Sequence, residues 1–390
     1  MTGFDKRSAT AFIVAFGIVS LFADMAYEGM RGLNGPFLAT LGASGAAVGL
    51  IAGGGELAGY VLRLLSGRVV QRTGAYWGIA IGGYALTMAA VPLMAFVFDW
   101  RAAALLIVLE RAGKAIRNPA TSTMQARAGD QIGQGWAFGL QEALDQTGAI
   151  IGPLITALVL ARHGDYHAAY AWLGVPAFLT MVTVAVIAVR YRYAGEIAPP
   201  KSDAAAAVLS HAFWLYAASA ALVGFGFADF SLIAFHFAQA HIVSPALVPV
   251  FYAAAMGASA AGALVFGLWF DRRGLVVLAP AILIASAATP LAFLGGTAAA
   301  LTGTILWGLA LGTLGALMSA AVAQLVPEAM RARAYGTFSA TYGISWFAGS
   351  ALLGLLYDYS RVALVAVAVA MQLLSLLPLG LTLRALNRKM

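Results

Sequence analysis

Apolar residues in this chain run in long blocks, neither alternating as in a half-buried strand nor confined to the stripe of a surface helix. Twelve blocks reach roughly the 20 residues that a helix needs to cross a hydrocarbon layer. The first six predict helices over Ala9–Leu38, Ala46–Val70, Tyr76–Phe98, Ala102–Thr121, Trp136–Leu160 and Ala169–Arg190. The second six predict helices over Ala212–Phe237, Leu247–Phe270, Leu275–Gly295, Ala298–Leu325, Tyr335–Tyr357 and Val362–Leu383. At about 25 residues each they leave about 90 positions for joints, too few for an extramembrane domain. Membrane β-strands would show as short alternating segments, which the sequence lacks. The expected fold class is an all-α membrane protein with 12 transmembrane helices in two six-helix bundles.

The polar positions divide and orient these blocks. The longest polar joint, Tyr191–Ser210, carries Arg192, Glu196, Pro199, Pro200, Lys201 and Asp203. Its prolines cannot continue a helix and its charges hold it in water. The expected organisation is an N-terminal bundle over 1–193, a cytoplasmic linker over 194–210 and a C-terminal bundle over 211–390. Basic residues gather on alternate joints: Lys6, Arg7, Arg68, Arg72, Lys114, Arg117, Arg127, Arg190, Arg192 and Lys201, then Arg272, Arg273, Arg331, Arg333, Arg384, Arg388 and Lys389. The opposite joints hold Arg101, Arg162 and Arg361. Retention of Lys and Arg on the cytoplasmic side places both termini in the cytoplasm of a multi-pass protein of the cell (inner) membrane. Lys6 and Arg7 precede an apolar run as in a signal peptide, but this run is long and contains Asp24, so a retained first helix is expected.

Composition agrees. Apolar residues make up 62% of the 390 positions and charged residues 10%, with 44 glycines besides. That charge cannot coat a soluble surface. A soluble enzyme, a disordered chain and a disulfide-stapled domain are excluded, the last by the absence of cysteine. The net charge of +7 is the joint asymmetry and not a nucleic-acid footprint. The sequence shows no phosphate-cradling glycine loop with lysine, no Cys/His metal cluster and no nucleophile elbow, so no enzymatic activity, cofactor or metal is expected.

The halves repeat. Gly67-Arg68-Val69-Val70-Gln71-Arg72-Thr73-Gly74 returns at offset 200 as Gly267-Leu268-Trp269-Phe270-Asp271-Arg272-Arg273-Gly274. Phe22-Ala23-Asp24 returns as Phe227-Ala228-Asp229, and Gly139 and Gly152 find Gly336 and Gly349 at offset 197. Such an ordered series argues for duplicated six-helix units.

On these residues the chain resembles the major facilitator superfamily over essentially its whole length. The family's loop signature Gly-x-x-x-Asp-Arg-x-Gly is met by Gly267, Asp271, Arg272 and Gly274, and in part by Gly67, Arg72 and Gly74, with Gln71 where the acid would stand. Gly139, Gly148, Gly152 and Pro153 resemble the helix-5 motif of exporter-type members, and Arg111 resembles the family's buried helix-4 arginine. The resemblance implies a pseudo-symmetric pair of bundles, a conformational latch at the two loops, and a helix-5 hinge. It further implies a monomer that moves a small-molecule substrate across the lipid bilayer, with no nucleic-acid partner.

Ionisable groups inside the blocks carry the chemistry, because each costs about 2.5–3.5 kcal/mol or more in hydrocarbon. Asp24, Tyr27, Glu28 and Arg31 recur at i, i+3, i+4 and i+7 and share one helix face. Glu56, Glu110, Arg111, Glu142 and Asp145 add to the first half, against Asp229 and His236 in the second; Arg63 is read as snorkelling and His236 as solvated. In place of Glu56 the second half has Met256, and it offers Phe235, Tyr252, Trp307, Tyr342 and Trp346 as an aromatic wall. Asp24, Glu28, Glu142, Asp145 and Asp229 are the expected proton-coupling acids. Asp24, Tyr27, Arg31, Glu56, Arg111, Tyr342 and Trp346 are the expected substrate contacts. A carboxyl group whose arginine neighbour moves away takes up a proton more readily, which is the essence of coupling to a proton gradient. Acids outnumber arginines, pointing to protons and cationic or neutral solutes, with an anion open through Arg31 and Arg111. The expectation is a proton-coupled exporter. A proton-coupled uptake symporter would use the same acids, and a receptor or lipid-handling protein would keep the fold without proton movement.

Overall fold

The computed structural model describes residues 4–195, 209–327 and 330–387. Most of the expected linker, with Glu196, Pro199, Pro200, Lys201 and Asp203, lies outside the described residues, as do Arg388 and Lys389. Long apolar sequences in lipid must satisfy their backbone internally, and here they do so as helices, with no strand among the described residues. In chain order these are α1 (Lys6–Thr40), α2 (Gly45–Thr73), α3 (Tyr76–Leu93), α4 (Trp100–Ile132), α5 (Gln134–His163), α6 (Tyr166–Trp172) and α7 (Gly174–Arg190). The series continues with α8 (His211–Gly226), α9 (Phe230–Gln239), α10 (Leu247–Arg273), α11 (Leu278–Leu294), α12 (Thr297–Leu325), α13 (Arg331–Tyr359) and α14 (Arg361–Asn387).

Ten of the twelve expected blocks fall on single helices, and two are broken. The sixth divides at Leu173 into α6 and α7, where Pro176 lacks the N–H that would bond back to the preceding turn. The seventh divides after Gly226: Phe227 turns extended, and Asp229 starts α9 by accepting from the Ser231 N–H at 2.9 Å. The third correction matters most for function. Lys114 and Arg117, counted above among the cytoplasmic joints, stand inside α4, which runs on to Ile132 through Pro119.

Contacts divide the chain into two units. Unit 1 takes Met1–Phe37, Ala58–Lys201 and Pro245–Ala253, and unit 2 takes Leu38–Leu57, Ser202–Ser244 and Ala254–Met390. Large apolar side chains such as Phe98, Phe178, Val189, Leu264 and Leu377 are exposed, the surface expected of a protein whose solvent is lipid. Nine stretches among the described residues are long and apolar enough to cross a membrane, one of them running through α10 and α11 together. α4 falls outside this set because Arg101, Glu110, Arg111, Lys114, Arg117, Arg127 and Asp130 interrupt it.

In unit 1, small residues bring helix backbones together and so aim the charged side chains. A methyl on Gly83 would meet the Gly113 carbonyl and the Arg117 N–H, so α3 and α4 pack backbone to backbone. Methyls on Gly148 and Gly152 would collide with α1 at Leu21 and at the Met25 carbonyl. Gly349 repeats this in unit 2 against Phe225 of α8. The repeat read from sequence is therefore also a repeat of packing. In the loop signatures, Gly74 and Gly274 adopt left-handed φ of 66° and 62°, which an L side chain resists. Gly67 and Gly267 are uncrowded.

Candidate functional site

The polar face of α1 is buried in unit 1 as expected from its spacing. Asp24, Tyr27 and Glu28 are buried, and the Tyr27 hydroxyl donates to Asp24 Oδ1. Arg31 Nη1 donates to Glu28 Oε1 at 2.8 Å, the i, i+3 pair legible in the sequence. Glu28 Oε2 accepts from the hydroxyl of Tyr252, on the first turns of α10, at 2.5 Å. Both Glu28 oxygens are thus engaged, as a buried carboxylate requires. Asp24 differs: among the described residues its one direct hydrogen bond is to Tyr27, and no cation lies within ion-pair distance.

α4 supplies the matching face. Glu110, Lys114, Arg117, Thr121 and Gln125 recur at helical spacing, and Thr87 of α3 bonds the Glu110 carbonyl at 3.2 Å. Lys114 Nζ stands 3.9 Å from the Tyr27 ring centroid and 3.9 Å from Glu28 Oε1. The Arg117 guanidinium lies 4.1 Å from the Tyr84 ring and 5.7 Å from the Tyr27 ring, and Arg31 approaches Tyr27 at 5.4 Å. Three cations therefore surround one tyrosine. Arg111 Nε faces Glu110 Oε2 at 3.9 Å.

α5 closes the cluster through amides. Gln141 donates to Ser20 of α1 and, at 2.9 Å, to Asp145, and it accepts from Gln125 of α4 at 2.9 Å. Asp145 is half-buried at this junction. Glu142 is exposed and accepts from Gln146 at 2.8 Å. Arg63 is also exposed, in keeping with snorkelling.

The remaining expected residues lie elsewhere. In unit 2 Glu56 is half-buried, and Asp229, by capping α9, has a local structural task. His236, expected to be solvated, is instead 0% exposed, with Nδ1 3.1 Å from the Tyr357 hydroxyl and its ring stacked on Phe293. Apolar neighbours on α11 and α13 cover it. Of the aromatic wall, Tyr342 and Trp346 meet edge to face at 5.5 Å, and Phe227 links Trp346 to Trp307 at 5.4 and 5.9 Å. Phe235 packs on Tyr357 instead, and Tyr252 belongs to the charge cluster of unit 1. In the last turns of α2 and α10, Gln71, Arg72, Asp271 and Arg272 are exposed, and Asp271 makes no hydrogen bond or ion pair with a described residue.

Sequence reasoning missed Lys114, Arg117, Tyr84, Gln125 and Ser20 as members of the site. The signal for the α4 residues was the i, i+4, i+7 spacing from Glu110, hidden by treating the bases as joint residues.

The profile of the Major Facilitator Superfamily matches residues 9–350. An uncharacterized protein of Mycobacterium tuberculosis is 39% identical over 381 residues, covering 95% of this chain and 92% of its own length. Among solved structures, a mutant of the nucleoside transporter NupG superposes with a TM-score of 0.75 at 15% identity, over 96% of this chain and 99% of that one. A mutant of the peptide transporter POT gives 0.74 at 16% identity, over 99% of both chains. At these identities the two structures speak for the fold alone.

Proposed function

The chain belongs to the Major Facilitator Superfamily and is a multi-pass membrane transporter, not an enzyme; from that premise we propose that it is a proton-coupled secondary transporter of a small organic solute. It works by alternating access in the cell (inner) membrane, as a monomer with cytoplasmic termini and two bundles over 1–193 and 211–390. One observation carries the proton reading. Asp24 is a carboxylate 8% exposed that, among the described residues, is held by a single tyrosine hydroxyl and paired with no cation, beside a Glu28 bonded at both oxygens. A buried carboxylate left so is the one in the cluster best placed to take up and give back a proton. Asp145, tied to α1 through Gln141 and Ser20, is the second station.

The helix ends at Gly67–Gly74 and Gly267–Gly274 act as the latch, with Asp271 free to engage in another state, and Gly148, Gly152 and Pro153 form the α1–α5 pivot beside Gly139. The helix-5 glycines imply export by proton exchange. A second reading, cotransport, is favoured by the cations around Tyr27: protonating Asp24 removes a negative charge beside them, so proton and a negatively charged group bind together. Proteoliposomes loaded with a pH dye separate the two. Cotransport acidifies the compartment that receives solute, and exchange alkalinises it. Solute movement with no pH change overturns proton coupling.

A further inference from the structure

Resting on the reading of this cluster as the solute site, we propose that the solute is an organic anion held through its carboxylate by Lys114 and Arg31. The cluster is sorted by accessibility. The side chains of Lys114 and Arg31 are 27% and 21% exposed, whereas those of Glu28 and Glu110 are 7% and 1% exposed. Around Tyr27, therefore, a solute meets positive charge, while the carboxylates that balance it lie behind.

The same two cations have donors to give. Lys114 Nζ is 3.9 Å from its nearest carboxylate oxygen, too far for a hydrogen bond, and makes none with a described residue. Arg31 commits Nη1 to Glu28, and its buried Nε has no partner among the described residues. Glu28 already accepts from Arg31 on one oxygen and from Tyr252 on the other. Arg117, stacked on Tyr84 and Tyr27, adds positive potential from a buried position. The acids of α5 are engaged by amides, Asp145 by Gln141 and Glu142 by Gln146. Two partly exposed cations beside one buried tyrosine ring, with the Lys114 donors uncommitted, form a receptor for a carboxylate. The count of acids in the sequence pointed the other way because it weighed buried and reachable charges alike.

Binding to purified protein in detergent tests this without any gradient. The probes are lactate, succinate and benzoate, their neutral partners lactamide, succinamide and benzamide, and the amines 1,4-diaminobutane and benzylamine. The expected result is a rise in melting temperature with at least one carboxylate and not with its amide. Lys114→Gln weakens that binding at least about tenfold, the loss of one charge-assisted hydrogen bond. Lys114→Arg, which keeps the charge, restores most of it, and Arg63→Gln leaves it unchanged. Stabilisation by amines but no carboxylate, by no carboxylate at all, or equally in Lys114→Gln and wild type overturns the proposal. If a carboxylate binds and crosses proteoliposomes without moving protons, proton coupling fails and the anion class stands.

Discussion

Two glycines of one motif should respond to the same substitution with opposite signs. Gly152 packs against the Met25 backbone of α1, and a Cβ there would lie 2.9 Å from Met25 Cα and carbonyl carbon. Carbon atoms settle at about 3.5–4.0 Å, so α1 would have to retreat by roughly 0.6–1.1 Å. Overpacking of that kind costs about 1–3 kcal/mol. Gly139, on the same helix, has no neighbour within 4 Å of a built Cβ. Alanine there meets nothing and gains about 0.8–1 kcal/mol of helix propensity, a gain that Gly152→Ala shares. The contrast between the variants is therefore about 1–3 kcal/mol. Unit 2 offers the replicate, since Gly349 is crowded by Phe225 and Gly336 is open. Melting in detergent, followed by tryptophan fluorescence, should rank Gly139→Ala and Gly336→Ala at or above wild type, and Gly152→Ala and Gly349→Ala below them. Equal melting of Gly152→Ala and Gly139→Ala would refute the packing argument, and a contrast in only one unit would refute the repeat.

Other consequences follow from single contacts. Tyr252→Phe strands Glu28 Oε2 without its donor, so it should cost about 1–3 kcal/mol in thermal stability, and Tyr252→Phe with Glu28→Gln should cost less than the sum. Gly74→Ala and Gly274→Ala, forced into left-handed backbone, should each lose about 1–2 kcal/mol, while Gly67→Ala and Gly267→Ala, at open positions inside α2 and α10, melt at or above wild type. Asp358 accepts from the N–H groups of Gly45 and Ala46 at 2.8 Å each, capping α2 within unit 2; Asp358→Ala should cost about 0.5–2 kcal/mol, with faster hydrogen exchange in the first turn of α2.

The helices were legible because lipid leaves no other way to satisfy a long apolar backbone, and the α1 face because four polar residues at helical spacing cannot point into hydrocarbon. The Glu28–Arg31 pair was readable for the same reason: three residues apart on a helix is already a contact. Breaks were harder. Pro176 and Asp229 interrupt helices only in concert with their neighbours, and inside an apolar run neither outweighs the hydrophobic signal. Lys114 and Arg117 were misplaced because a base near the end of an apolar block looks the same whether the helix stops or continues. His236 could not be placed, since its burial depends on Phe293 and Tyr357, far away in sequence. Tyr252 was read as wall and is a hydrogen-bond donor, because its partner lies on α1.

The most direct measurement follows lumenal pH in proteoliposomes while a bound carboxylate is transported by wild type and by Asp24→Asn, an isostere that keeps a partner for Tyr27. The account predicts that wild type moves protons whenever it moves the solute, with it in cotransport and against it in exchange, and that Asp24→Asn still binds and exchanges labelled solute but moves no protons. Proton movement by Asp24→Asn at the wild-type rate would contradict it.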